Sequence, residues 1–111
     1  MTQAPRRLAD ALPELVADLG GTLLNVGRPD LVRQLDGAQI MEWAYDEFAD
    51  ATFLYVAADG AAYRRVERLE AECLSLFDEL GLNVYTDERG RLCGIEVLDG
   101  REVAERLEGR G

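Results

Sequence analysis

Two groups of carboxylates have the clearest capacity for chemistry in this sequence. The first comprises Asp46, Glu47 and Asp50, and the second comprises Asp87, Glu88, Glu96 and Asp99. Carboxylates brought together can hold Mg²⁺ or Ca²⁺, or act as an acid–base pair. A Ca²⁺ loop needs oxygen ligands at alternating positions over about twelve residues, and neither group has that spacing.

The candidates for a ligand or metal site are therefore Asp46, Asp50, Glu96 and Asp99, with structural roles as the alternative. Asp46 and Asp50 can accept hydrogen bonds from loop amides, and Asp99 can cap a helix. The spacing favours the structural roles. The sequence identifies no catalytic residue and implies no cofactor.

Histidine is absent from the chain, which excludes Ser/His/Asp and Cys/His catalysis and histidine-ligated zinc. Cys73 and Cys93 lie 20 residues apart without a CxxC pair or zinc-ligand spacing. Both are predicted to be buried free thiols in a reducing cytoplasm, Cys73 on a helix and Cys93 in a strand.

The charge balance is acidic, with 12 basic residues against 22 acidic residues and a net charge of −10. Nucleic acid and anionic membrane surfaces require clustered positive charge, so neither is expected as a partner. A basic protein suits this surface better. Since no apolar run approaches 18 residues and nothing reads as a secretion signal, we expect no membrane span and a cytoplasmic location.

A chain of 111 residues is expected to form a single domain, with a helical N-terminal extension over 1–37 and a sheet-containing part over 38–111. Apolar spacing predicts a helix over 5–19 that breaks near Leu12, because Pro13 follows, and that stops at Gly20-Gly21. Pro29 begins a second short helix.

Alternating side chains predict strands in the second part of the chain. Residues 39–45 and 52–57 form one hairpin, and residues 82–86 and 91–98 form another around Asp87–Gly90. Turn residues also mark Asp59-Gly60. A short C-terminal helix follows, with Asp99 and Glu102 as its capping box.

Residues 63–80 show the clearest helical spacing. The inward stripe is predicted to comprise Val66, Leu69, Cys73, Leu76, Phe77 and Leu80, and Gly81 ends the helix.

Two segments resemble motifs of a small prokaryotic family, domain of unknown function 2283. Residues 43–56 resemble its YD-x-x-x-D-x-L-Y-I opening, and residues 87–99 (DERGRLCGIEVLD) resemble its D-x-x-G-R-L-x-G-I-E-I-L-D close. The resemblance covers residues 43–57 and 82–99. It implies a small, mostly antiparallel sheet without an established activity. Members often sit beside small toxin-like genes, which implies an antitoxin-like or partner-binding role.

The strands read as apolar on both faces, which indicates oligomerisation. Helices cover one face, so we expect a two-fold homodimer that associates through the sheet surface or edge, with Leu54, Val56, Ile95 and Val97, or their counterparts, at the interface. Gly94, in mid-strand, is expected to leave room for an aromatic ring, that of Trp43 or Tyr55.

Together these patterns predict an α+β domain, a mainly antiparallel sheet of about four strands with helices packed on one face. The leading hypothesis for function is a non-enzymatic interaction module, a homodimer that docks a basic protein partner, with an antitoxin as one form. The alternative is a small-molecule or metal-binding enzyme that uses loop carboxylates.

Overall fold

The computed structural model describes residues 5–58 and 63–109, so the predicted turn at Asp59-Gly60 lies outside the described residues. In chain order the elements are β1 (Arg6–Arg7), α1 (Leu8–Ala11), α2 (Pro13–Asn25), α3 (Pro29–Gly37), β2 (Gln39–Asp46), β3 (Ala51–Ala57), β4 (Glu72–Leu76), α4 (Phe77–Leu80), β5 (Leu82–Thr86), β6 (Leu92–Leu98) and α5 (Arg101–Leu107). A 3₁₀ turn spans Arg68–Glu70.

The strands form one antiparallel sheet in the order β1-β2-β3-β6-β5-β4. The predicted α+β class with an antiparallel sheet is confirmed. Six strands are described where about four were expected. The two additional strands are β1, which pairs only two residues with β2, and β4, which lies inside the predicted 63–80 helix.

One face of the sheet supports the main core. Leu54 and Ile95 lie opposite each other on β3 and β6, and both are fully buried. Helices cover them through a set of buried leucines, Leu8, Leu12, Leu19, Leu23, Leu31 and Leu35. Helix and strand residues thus share one core, and apolar burial is its main source of stability.

The N-terminal helical region breaks next to Pro13, as predicted, but continues through the two glycines that were expected to end it. Leu12 separates α1 from α2, and Pro13 is the first residue of α2. The predicted stop at Gly20-Gly21 is wrong, because α2 continues to Asn25. Leu19 and Leu23, one turn apart and both fully buried, hold the helix across the two glycines.

The predicted helix over 63–80 is wrong. Residues 63–71 instead cross the sheet from β3 to β4 with only a 3₁₀ turn, and we call them the crossing segment. Residues 72–76 form a strand, and only Phe77–Leu80 is helical. Leu69 is fully exposed and Phe77 is 58% exposed, so neither belongs to an inward stripe.

Gly94 makes room for an aromatic ring as predicted, but the ring belongs to Phe53 rather than to Trp43 or Tyr55. A Cβ at this position would lie 2.7 Å from Phe53 Cζ and 3.5 Å from Tyr85 Cβ. The first distance is too short for a Cβ, whereas the second is an ordinary contact, so the Phe53 ring packs in space that a glycine leaves free.

No helix among the described residues is both long enough and apolar enough to cross a bilayer.

Candidate functional site

Asp46 and Asp50, two of the predicted site residues, hold the turn between β2 and β3. The Asp46 carboxylate accepts hydrogen bonds from the backbone N–H groups of Phe48 (2.9 Å) and Ala49 (3.3 Å). The Asp50 carboxylate accepts one from the Tyr45 hydroxyl at 2.7 Å, and this bond raises the pKa of Tyr45. Both carboxylates therefore act within the turn.

Asp99 has a structural position too, although not the predicted one. Gly100 is the N-cap residue of α5, and no side chain caps that helix, so the predicted capping box is wrong. Asp99 instead occupies the left-handed region (φ 54°). A Cβ on Gly100 would lie 2.5 Å from the backbone nitrogen of Thr52, so the chain must turn at Asp99 to present the glycine there.

Glu96 faces the other side of the sheet from the core, where it accepts three hydrogen bonds. The donors are Arg68 Nη1 at 2.7 Å, Asn83 Nδ2 at 3.1 Å and the Tyr85 hydroxyl at 3.1 Å. Its side chain is only 12% exposed. Glu96 is thus the centre of a hydrogen-bonded network and not part of the β2–β3 turn.

The predicted carboxylates do not assemble a metal site. Within residues 5–58 and 63–109, no three acidic or cysteine side chains are grouped so that they could hold a metal ion. In the second hairpin, Asp87 accepts hydrogen bonds from the N–H groups of Arg89 and Arg91. Burial favours a raised pKa for Asp87, but these bonds and the Arg91 guanidinium outweigh it and lower the pKa.

The predicted dimer interface lies in the core of a single chain, which corrects that prediction. Leu54 and Ile95 are fully buried, Val56 is 3% exposed and Val97 packs against the same cluster. The helices of residues 8–37 cover them. The opposite face carries the counterparts of Leu54 and Val56 on β3, which are Phe53 and Tyr55.

That opposite face, the aromatic face, consists of Phe53, Tyr55, Tyr85 and the residues that surround them. The ring centroid of Phe53 lies 4.6 Å from that of Tyr55 and 5.4 Å from that of Tyr85. The crossing segment covers these rings. The Arg65 guanidinium lies 4.2 Å from the Tyr55 centroid, and Arg68 lies 5.9 Å from that of Phe53.

Carboxylates position the two arginines. Arg65 pairs with Glu42 at 3.3 Å and Glu67 at 2.9 Å, and it donates a hydrogen bond to the Tyr55 hydroxyl at 3.0 Å. Tyr63 donates a hydrogen bond to Glu42 at 2.9 Å; burial, followed by this bond, raises the pKa of Tyr63. Polar contacts therefore close this face.

The two cysteines occupy different environments. Cys93 is buried between Val66 and Tyr85, and burial raises the pKa of its thiol to about 11. Cys73 is free as predicted but exposed, because it lies on β4 and not on a helix stripe. Raised pKa and burial make Cys93 a poor nucleophile.

A groove lies between α2 and α5. We call it the acidic groove; its volume is about 510 Å³, and it is lined by Leu12, Glu14, Leu15, Asp18, Glu102, Val103, Glu105 and Arg106. Leu12 is buried, and Leu15 and Val103 are half-buried, so the floor is apolar.

Four carboxylates border this floor and a single guanidinium accompanies them. Glu14 and Asp18 are one turn apart on α2, while Glu102 and Glu105 lie on α5. Glu105 contacts Arg101 at 3.9 Å, and no ion pair is described for Glu14, Asp18 or Glu102 within the described chain. The groove therefore presents unneutralised negative charge around apolar side chains.

Sequence reasoning missed this groove. The available signal was the placement of Glu14 and Asp18 beside Leu15, and of Glu102 and Glu105 beside Val103, on single helix faces. However, these two groups of residues lie far apart in the sequence, and only the tertiary fold brings α2 and α5 together.

No family model, curated protein or solved structure matches this chain. The resemblance to domain of unknown function 2283 therefore stays a prediction.

Proposed function

We propose that this protein is a non-enzymatic interaction module that binds a basic, amphipathic segment of a protein partner in the acidic groove. The observation that carries the proposal is the combination of an apolar floor with a rim of four carboxylates and one arginine. Apolar contact supplies affinity, and the rim selects positive charge and orients the segment.

The dimensions of the groove favour a helix as the occupant. The seven residues of α5 extend about 10 Å, which matches two turns of a helix laid beside it. Such a helix would place one apolar face against Leu15 and Val103 and direct arginine or lysine side chains toward the rim. The net charge of −10 supports long-range attraction of the same partner.

The narrower form of the proposal is an antitoxin-like role, in which the partner is a small basic toxin that the groove masks. The enzyme alternative has less support, since the carboxylates on which it depends hold turns or the aromatic face.

The test is a binding titration with a synthetic amphipathic helix that carries leucines on one face and arginines on the other. The groove variant combines Glu14→Gln, Asp18→Asn, Glu102→Gln and Glu105→Gln. Exposed pairs contribute about 0.2–1 kcal/mol each, so losing four should weaken binding about fourfold or more. Raising salt from about 50 to about 300 mM should weaken binding to the unmodified chain.

A matched control removes four exposed charges elsewhere through Glu47→Gln, Glu70→Gln, Asp78→Asn and Glu88→Gln. It should bind the peptide nearly as well as the unmodified chain. Equal loss in both variants would mean that net charge alone attracts the peptide, and absence of binding to the unmodified chain would refute the proposed occupant.

A further inference from the structure

The strand β4 leaves one edge of the sheet open. Within residues 5–58 and 63–109 it pairs with β5 alone, and no backbone hydrogen bond outside that ladder involves residues 72–76. Its pairing is regular over all five residues, without a bulge. Glu72 is its only charged residue, and it contains neither proline nor lysine, so it lacks the features that usually protect an edge strand.

The opposite edge of the sheet is different. The strand β2 has a register shift between Ile40 and Glu42, is partly covered by β1, and ends with the acidic Asp46. A bulge and outward charge both oppose pairing with another chain. Only the β4 edge is therefore suited to pairing among the described residues.

Exposed apolar side chains lie on elements near β4. The helix α2 packs against α4, which directly follows β4, and Arg28, just beyond α2, lies close enough to Glu72 for their charges to interact. The C-terminal end of α2 therefore lies near α4 and the start of β4. Leu24, Val26 and Phe77 on these flanking elements are 58%, 42% and 58% exposed.

We propose that β4 pairs with β4 of a second copy of this chain, antiparallel about a two-fold axis at Leu74. The two sheets then form one continuous sheet of twelve described strands. In this register Glu72 of each copy lies opposite Leu76 of the other, so like charges are not opposed. Cys73 lies opposite the partner's Ser75, and both residues are small enough for close pairing.

A second copy fits this edge because the strand is complementary to itself. The same symmetry places Phe77 of both copies, which directly follows β4 and is 58% exposed, close to the junction, and its burial adds apolar contact to the backbone hydrogen bonds. Two chains of charge −10 repel each other, so association should increase as salt rises. Peptide binding in the acidic groove should show the opposite salt dependence.

The first experiment measures the molar mass in solution by light scattering at low and high salt. The unmodified chain should become increasingly dimeric with salt. The edge variant Cys73→Lys and Ser75→Lys places like charges opposite each other across the axis and should stay monomeric. Both positions are exposed, so circular dichroism should be unchanged.

A matched control adds the same two charges at exposed positions elsewhere, through Ala17→Lys and Ala49→Lys, and should dimerise like the unmodified chain. A monomeric unmodified chain at both salt concentrations would overturn the proposal. A dimer that the edge variant leaves intact would also overturn it.

The second experiment tests the register by disulfide trapping. Ser75→Cys places the introduced thiol opposite Cys73 of the other copy, at a Cα separation of about 4.5–5.5 Å that a disulfide can bridge. Mild oxidation should give covalent dimers much faster than Ala49→Cys in the β2–β3 turn. Equal trapping rates would contradict the register. The groove variant should dimerise normally, so failure of the groove proposal does not affect this one.

Discussion

The face of the sheet beneath α1–α3 is closed by aliphatic side chains, whereas the aromatic face is closed by arginines that lie over tyrosine and phenylalanine rings. Leu54 and Ile95 on the first face have no exposure, and they contact a continuous set of leucines. On the second face, Glu96 holds Arg68 and Tyr85 through hydrogen bonds. Neighbouring residues of the same strand therefore lie in different environments. Aliphatic packing stabilises one face, and hydrogen bonds to arginine and tyrosine stabilise the other.

This difference shows how one chain can cover both faces of a sheet with few helices. The helices of residues 8–37 supply enough apolar surface for one face. The crossing segment covers the other with Arg65 and Arg68, whose guanidinium groups contact the rings and keep their charge paired with carboxylates. A strand that is apolar on both faces therefore need not indicate an interface between sheet faces.

The largest effect that separates the two faces is expected from Leu54→Ala. Removing a fully buried leucine leaves a cavity between sheet and helices, and the free energy of unfolding should fall by about 2–5 kcal/mol. Urea denaturation measures this loss. A loss below about 1 kcal/mol would show that the helices do not pack on Leu54 as described.

An intermediate effect is expected from Gly94→Ala on the aromatic face. The new Cβ would overlap the Phe53 ring, whose Cζ would be 2.7 Å away, and forcing the ring aside should cost about 1–3 kcal/mol of unfolding free energy. In a chain with Phe53→Leu, which lacks the clashing ring atoms, the same substitution should cost less. Equal costs in the two chains would contradict the contact.

The smallest effect is expected from Leu69→Ala on the crossing segment. Leu69 is fully exposed, so the free energy of unfolding should change by less than about 0.5 kcal/mol. Leu76→Ala provides the comparison. Leu76 is 1% exposed, so this substitution should lower the free energy of unfolding about as much as Leu54→Ala does. A large loss of unfolding free energy in Leu69→Ala would instead support the helix that the spacing predicted over residues 63–80.

Local patterns predicted the hairpins well because their signals are local. Alternation at Phe53 and Tyr55 marks β3, and Asp87 with Gly90 marks the turn between β5 and β6, where Gly90 has a positive φ of 75°. The same reasoning failed over residues 63–80. Apolar residues recur there with helical spacing, yet Val66 packs on the aromatic face while Leu76 joins the main core.

The candidate sites could be predicted only in part, since they depend on tertiary packing. Carboxylates such as Asp46 were recognisable as turn residues, and the hydrogen bonds bear out that alternative. The acidic groove unites α2 with α5, whose residues are almost 90 positions apart in the chain, and no local pattern reports such a contact. The exposed edge at β4 was hidden by the incorrect helix.

The most direct test of the proposed function is to locate the basic amphipathic helix on the protein by amide chemical shifts. The ¹⁵N-labelled chain would be titrated with the peptide at low salt. The largest shifts should fall at Leu15, Asp18 and Val103, with the amides of Phe53 and Tyr85 unchanged. Shifts concentrated on the crossing segment and the aromatic face would contradict the account, because they would place the binding surface on the opposite side of the sheet.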